Sequence, residues 1–254
     1  AYARRDVPLR RDRTRMVAAR STPAARMMRA VPWYRFVIAA CAVFFVLSIA
    51  AMVLYPGGRL GDAQSAGYAF FSNFFSDLGQ THTHSGQSNL PSLVLFCCAL
   101  AAVAAGMSAF FIAFTTFFAR TPRFARLAVR SGAVAGCASA LCFLGVAATP
   151  WNLALRAHNA FVMWAFEAFL LAVVCDIAAV LATRNVPRRF AAVFALFALV
   201  LASYIILLML GPRLDTPAGA AIQATGQKVV VYASMLTILV QALLSLRLER
   251  LRIG

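Results

Sequence analysis

Six apolar runs, at 33–55, 93–119, 131–149, 160–182, 190–210 and 229–246, leave little choice about what this chain folds into. A helix rising about 1.5 Å per residue needs about 20 residues to cross about 30 Å of hydrocarbon, and the runs have that length or close to it. Lipid offers no partners to backbone N–H and C=O groups, so such runs read as helices that satisfy their own backbone. The remaining composition agrees. The 254 residues are 62% hydrophobic and 13% charged, with a mean hydropathy of +0.79, more apolar surface than a soluble fold of this size can hide. The expected fold is all-α, a polytopic membrane bundle of six transmembrane helices. Pro32, Pro56, Pro91, Pro122, Pro150, Pro187, Pro212 and Pro217 flank or separate the runs, where helices must begin or stop. Connections are short except the first, so the domains read as a basic arm over 1–32, a six-helix domain over 33–246 and a basic tail over 247–254.

The net charge of +16 is distributed by side. Of the 24 basic residues, all but Arg59, Arg156, Arg213 and Lys228 precede or open run one, lie between runs two and three or four and five, or follow run six. Positive connections stay cytoplasmic, so both termini are expected in the cytoplasm of a plasma or inner membrane. The charge thus reads as topology and as affinity for anionic lipid headgroups, each nearby Arg contributing on the order of 1 kcal/mol. No nucleic-acid partner is expected, although counterion release draws basic proteins to phosphate. Asp6 and Asp12 argue against a presequence, so the arm is expected to be retained.

All six cysteines fall inside the runs, where thiols pack as small apolar groups, and no CxxC pair suggests a disulfide framework or a thiolate metal site. Run three carries Gly132, Gly136 and Ala140 at small-xxx-small spacing, which predicts close approach by a neighbouring helix of the same chain.

The first connection, 56–90, is the most informative segment. Within 67–79, Phe70, Phe71, Phe74, Phe75 and Leu78 share one arc at helical spacing, with Ser72, Asn73, Ser76 and Asp77 opposite. The pattern predicts a short amphipathic helix at the outer membrane surface, ended by Gly79. The plain alternative is an interfacial anchor. The sharper one is that Asn73 and Asp77, at i and i+4, face a polar pocket together with His84, Asn89, Asn152 and His158.

Two acids interrupt run four, and Glu167 is expected to face the bundle interior as the floor of that pocket. Asp176 is expected to pair with cytoplasmic arginines such as Arg184. His82, His84 and His158, with Asp77 or Glu167 as acid or base, supply the ligand types of a zinc site, although no HxxxH or HExxH frame places two imidazoles on one helical face.

The motifs Tyr55-Pro-Gly-Gly, Asn73-Phe-Phe-Ser-Asp-Leu-Gly79, Gly86-Gln-Ser-Asn89 and Thr149-Pro150 followed by His158-Asn159 resemble a six-helix membrane family of unknown function related to FRAG/DRAM-like proteins. The resemblance covers about a quarter of the chain and implies six helices and an outer pocket, without an activity. A fainter similarity to alkaline ceramidase-type membrane hydrolases rests on Ser, Asp and His near one membrane face. This chain lacks their paired-histidine motif and one helix.

Three functions follow as expectations. The favoured one is a non-enzymatic or unassigned activity: an outer pocket of Asn73, Asp77, His84, Asn89, Asn152, His158 and Glu167 that binds a lipid headgroup or a small polar ligand. The second is an accessory subunit docking on partner membrane subunits. The third is a zinc-dependent membrane hydrolase using His82, His84 and His158.

Overall fold

A computed structural model describes residues 30–253, so most of the basic arm, residues 1–29, lies outside the described residues. Six long helices form the molecule: α1 (Val31–Val53), α2 (Leu90–Phe114), α3 (Arg123–Ala148), α4 (Trp151–Leu181), α5 (Arg188–Leu210) and α6 (Pro217–Ile253). All six are long and apolar enough to cross a membrane, the architecture of a multi-pass membrane protein. Each helix packs on its neighbours in sequence, and α6 closes the ring against α1 while also touching α2. The Ser48 and Tyr232 hydroxyls, 3.4 Å apart, lie on that closing seam.

Three helices start eight or more residues before their apolar runs: α3 at Arg123, α4 at Trp151 and α6 at Pro217, because Arg123, Arg126 and Arg130, then Asn152, Arg156 and Asn159, and then Gln223, Gln227 and Lys228, interrupt the apolar signal. Near its start α4 bends at Ala154, whose φ of −138° and ψ of 52° leave the helical region.

Packing inside the ring relies on close contact and aromatic stacking, since lipid is as apolar as the core. Phe114 lies with its ring centroid 5.4 Å from those of Phe110 and Phe118, 5.8 Å from Phe190 and 6.0 Å from Phe194. The small residues of α3 bear out the expected close approach within the chain. A Cβ on Gly136 would stand 2.2 Å from the ring of Phe111, and one on Gly132 would stand 2.6 Å from an Asp176 oxygen. Asp176 is therefore buried between helices, 1% exposed, and no ion pair to Arg184 occurs among the described residues. Gly136→Leu is expected to destabilise by about 1–3 kcal/mol through overpacking against Phe111, seen as a lowered unfolding temperature in detergent.

The first connection departs from its expected form. In place of an amphipathic helix over 67–79 there is an antiparallel hairpin, β1 (Gly57–Arg59) with β2 (Asp62–Ala66), followed by a short 3-10 turn at Phe75–Gly79. Phe74 is extended, with φ −68° and ψ 151°, which stops a helix from running through the segment. The physical reason lies in its partners. The Asn73 side chain accepts from the Ala69 N–H at 3.0 Å and donates to the Gly58 carbonyl at 2.9 Å, so contacts with the hairpin outweigh helical periodicity. Gly58, at φ +85°, allows the hairpin to lie against the backbone of Ser85, where a Cβ would stand 2.4 Å from the amide nitrogen.

Candidate functional site: a polar cap over an apolar chamber

The burial pattern of the loop inverts the amphipathic expectation. Asn73 and Asp77 are fully buried, while Phe70 and Phe71 are 42% and 67% exposed. Asp77, in the 3-10 turn, reaches back so that Oδ2 accepts from the Phe74 N–H and from Asn73 Nδ2, each at 2.9 Å. Its other oxygen, Oδ1, stands 3.6 Å from His84 Nε2, which also lies 3.4 Å from Gln80 Nε2.

Asn89 precedes α2 without capping it. Its Nδ2 instead faces three carbonyls, those of Asp77 at 3.3 Å, Leu78 at 3.1 Å and Gln80 at 3.0 Å. Asn152 pairs reciprocally with Thr81, accepting from its N–H at 3.2 Å and donating to its hydroxyl at 2.8 Å. The Tyr55 hydroxyl donates to the Gly58 carbonyl at 3.0 Å and that of Tyr68 to the Phe74 carbonyl at 3.0 Å. Burial, and then the nearby Asp77 carboxylate, push both phenols above their ordinary range, which keeps them protonated donors.

Lys228 joins the cap from α6, far from where sequence reasoning would look for it. Its side chain is buried at 1% exposure, and Nζ donates to the carbonyls of Asn73 and Ala224, the latter at 2.9 Å. The ammonium also lies over the rings of Tyr68 and Phe70, at 5.6 and 5.4 Å from their centroids. In the sequence this residue stands out only as one of four basic residues away from the cytoplasmic connections. Its place on a helix, four residues after Ala224, was a signal that hydropathy alone could not rank.

The three histidines do not converge. His82 is exposed and its backbone bridges Ser88, His84 faces Asp77, and His158 Nδ1 lies 2.7 Å from the Thr149 carbonyl. Among the described residues no group of three His, Cys, Asp or Glu side chains could hold a metal ion, which corrects the zinc set His82, His84 and His158. Glu167 is likewise corrected as a pocket floor. It is exposed on the outside of α4, because the buried face of that helix is set by Ala165, Phe166, Phe169, Ala172, Val173 and Asp176.

Beneath the cap is a narrow, half-open chamber with a cavity volume of about 40 Å³ between α1, α2, α3, α4 and α6. Its walls are apolar, with Phe44, Phe96, Leu100, Phe143, Val162 and Phe166 among them. Phe75 and Ser76 of the 3-10 turn also line it, and polar groups come only from Ser76, His158, Gln227 and Ser234. Gln227 is already tied to the cap, its Oε1 accepting from the Phe75 N–H at 2.7 Å. No known family, curated protein or solved structure matches this chain. These comparisons add no support to the resemblance to six-helix FRAG/DRAM-like proteins, and the chemistry of the site is that of its own residues.

That chemistry divides the expected pocket residues. Asn73, Asp77 and Asn89 are committed to holding the loop, Asn152 fastens it to α4, and His84 packs 5.3 Å from the Trp151 ring. Of the expected set, only His158 lines the chamber. A carbonyl can only accept, so Nδ1 of His158 carries the proton that it shares with Thr149. In the neutral ring, Nε2 is then an acceptor.

Proposed function

We propose that the protein binds an amphipathic lipid whose chain packs into the half-open mouth of the chamber and whose polar end carries a hydrogen-bond donor such as a hydroxyl. The observation that supports this reading is the pairing of an almost wholly apolar chamber with one acceptor nitrogen, on His158, next to the capping turn. Pockets for such ligands are mostly apolar and use a few placed polar groups to fix orientation. The polar cap then acts as structure: it roofs the chamber and keeps headgroup-level water from its apolar walls.

This revises the headgroup-binding expectation by moving recognition from the loop's polar residues to the chamber below. The orientation that accompanies the reading places the cap outside and both termini in the cytoplasm, supported by the clustering of Arg120, Arg123, Arg126, Arg130, Arg184, Arg188 and Arg189 at the opposite ends of the helices.

The test is native mass spectrometry with lipid analysis of protein extracted gently from membranes. Val162→Trp, which places an indole in the chamber, is expected to lower copurified lipid about tenfold, a loss of about 1.4 kcal/mol. His158→Phe keeps the ring and removes the acceptor, and is expected to lower the share of hydroxyl-bearing lipid by about fivefold to tenfold, in line with one lost hydrogen bond. Unchanged lipid content in both variants would overturn the reading.

A further inference from the structure

Glu167 is the one acid on the outward surface of α4 between Trp151 and Leu181. It lies on a stripe at helical spacing with Trp164, Leu171 and Val174, which are 55%, 57% and 50% exposed. Eight residues separate it from Asn159, the last residue of the polar turns that open α4, and fourteen from the end of the helix, which puts it about 12 Å and about 21 Å along the axis from those points. A Glu stem of two methylenes cannot carry its carboxylate to the headgroups from that depth, as the longer stems of Lys and Arg can. Facing lipid there, an acid is costly, and intramembrane acids are accordingly found paired or lining cavities.

Nothing within the described chain relieves this cost. Glu167 takes part in no hydrogen bond or ion pair, and the chamber lies on the other side of α4. A second copy of the chain brings no remedy either. Among the described residues, the Lys or Arg farthest from a helix end is Lys228, and it is buried and committed to the carbonyls of Asn73 and Ala224. A two-fold contact through this stripe would set Glu167 against its own copy.

We infer that the Trp164, Glu167, Leu171 and Val174 face of α4 is the docking surface for a transmembrane helix of a different protein that carries a Lys or Arg at the depth of Glu167. Charge complementarity selects the occupant: the cation pairs with Glu167, Trp164 offers a ring face to the same cation, and Leu171 and Val174 supply apolar packing. The inference is independent of the lipid reading, because it concerns the opposite face of the helix.

Two measurements test it. A photo-crosslinking residue placed at Val174 in the full chain, in its native membrane, is expected to join a transmembrane peptide of another protein containing Lys or Arg. Glu167→Gln is expected to reduce that adduct about tenfold, while Leu199→Gln, on the exposed surface of α5, leaves it intact. Crosslinks to a second copy of this chain or to lipid alone would overturn the inference. In bilayers, a synthetic poly-leucine transmembrane peptide with one central Lys is expected to associate with the purified protein at least about tenfold more tightly than the Lys-free peptide, measured by energy transfer. The preference is expected to vanish in Glu167→Gln. Equal binding of the two peptides, or a preference that survives the substitution, would also overturn it. Because Glu167 is exposed, the unfolding temperature of Glu167→Gln should match that of the unsubstituted protein, which separates lost docking from lost fold.

Discussion

Asp77→Ala is expected to destabilise the protein by about 3–5 kcal/mol, the cost of leaving a buried charge without its partner. The carboxylate is fully buried and accepts from Asn73 Nδ2 and the Phe74 N–H, with His84 Nε2 3.6 Å from its other oxygen. Its removal strands those donors and leaves the Lys228 ammonium in the same buried cap without a compensating anion. The measurement is equilibrium unfolding in detergent, with limited proteolysis of 56–90 as a local readout. A double-mutant cycle sharpens it. Lys228→Met alone should also destabilise, but the pair Asp77→Ala with Lys228→Met should cost about 1–3 kcal/mol less than the sum, because the second substitution removes the uncompensated charge. Additive losses would mean that the two charges act separately.

The second large effect is expected at Asn89, where the isosteric change to Asp separates a structural amide from a ligand-binding one. Nδ2 of Asn89 faces three carbonyl oxygens within 3.3 Å, so an Asp there would aim an acceptor at three acceptors. Asn89→Ala loses the hydrogen bonds and leaves carbonyls unsatisfied, for about 2–3 kcal/mol. Asn89→Asp should cost more than the alanine change, despite its closer shape, and its penalty should shrink at low pH as the carboxyl protonates. A binding role without a structural one would instead show both variants with normal unfolding and altered ligand content.

The six spans were legible because the membrane imposes one length scale and one backbone solution, and every run met both. The small-residue face of α3 was legible for a related reason: glycine at four-residue spacing has one packing consequence, visible at Gly136 against Phe111. The loop was not legible. Its phenylalanines repeat at helical spacing, yet the segment's structure is decided by Gly58, fifteen residues before Asn73, and by Lys228, 155 residues after it. Periodicity carries no record of such partners. The four glycines at 57, 58, 61 and 67, all with positive φ, were the local sign that this stretch turns back as a hairpin.

Glu167 failed for a different reason. The general tendency of intramembrane acids to face inward yields here to the phase of α4, where the spacing of Phe166, Phe169, Val173 and Asp176 places residue 167 on the far side. Asn73, Asp77 and His84 were rightly grouped by sequence, since the structure brings them together. They were grouped for a task that the fold has already assigned to loop anchoring.

The attachment of α6 to the first loop has a consequence for biogenesis. Gln227 and Lys228 are the groups that hold Phe75 and Asn73, yet they emerge some 150 residues later in synthesis. A chain whose first five helices have inserted therefore still carries an unmet Phe75 N–H, an unmet Asn73 carbonyl and an apolar chamber lacking one wall. Arrival of the last helix meets the polar groups and completes the wall in a single event, so the state of the loop distinguishes a finished ring from an arrested one. Chains truncated before Gln227 should be recognised by protease access to the loop long before their remaining helices unfold.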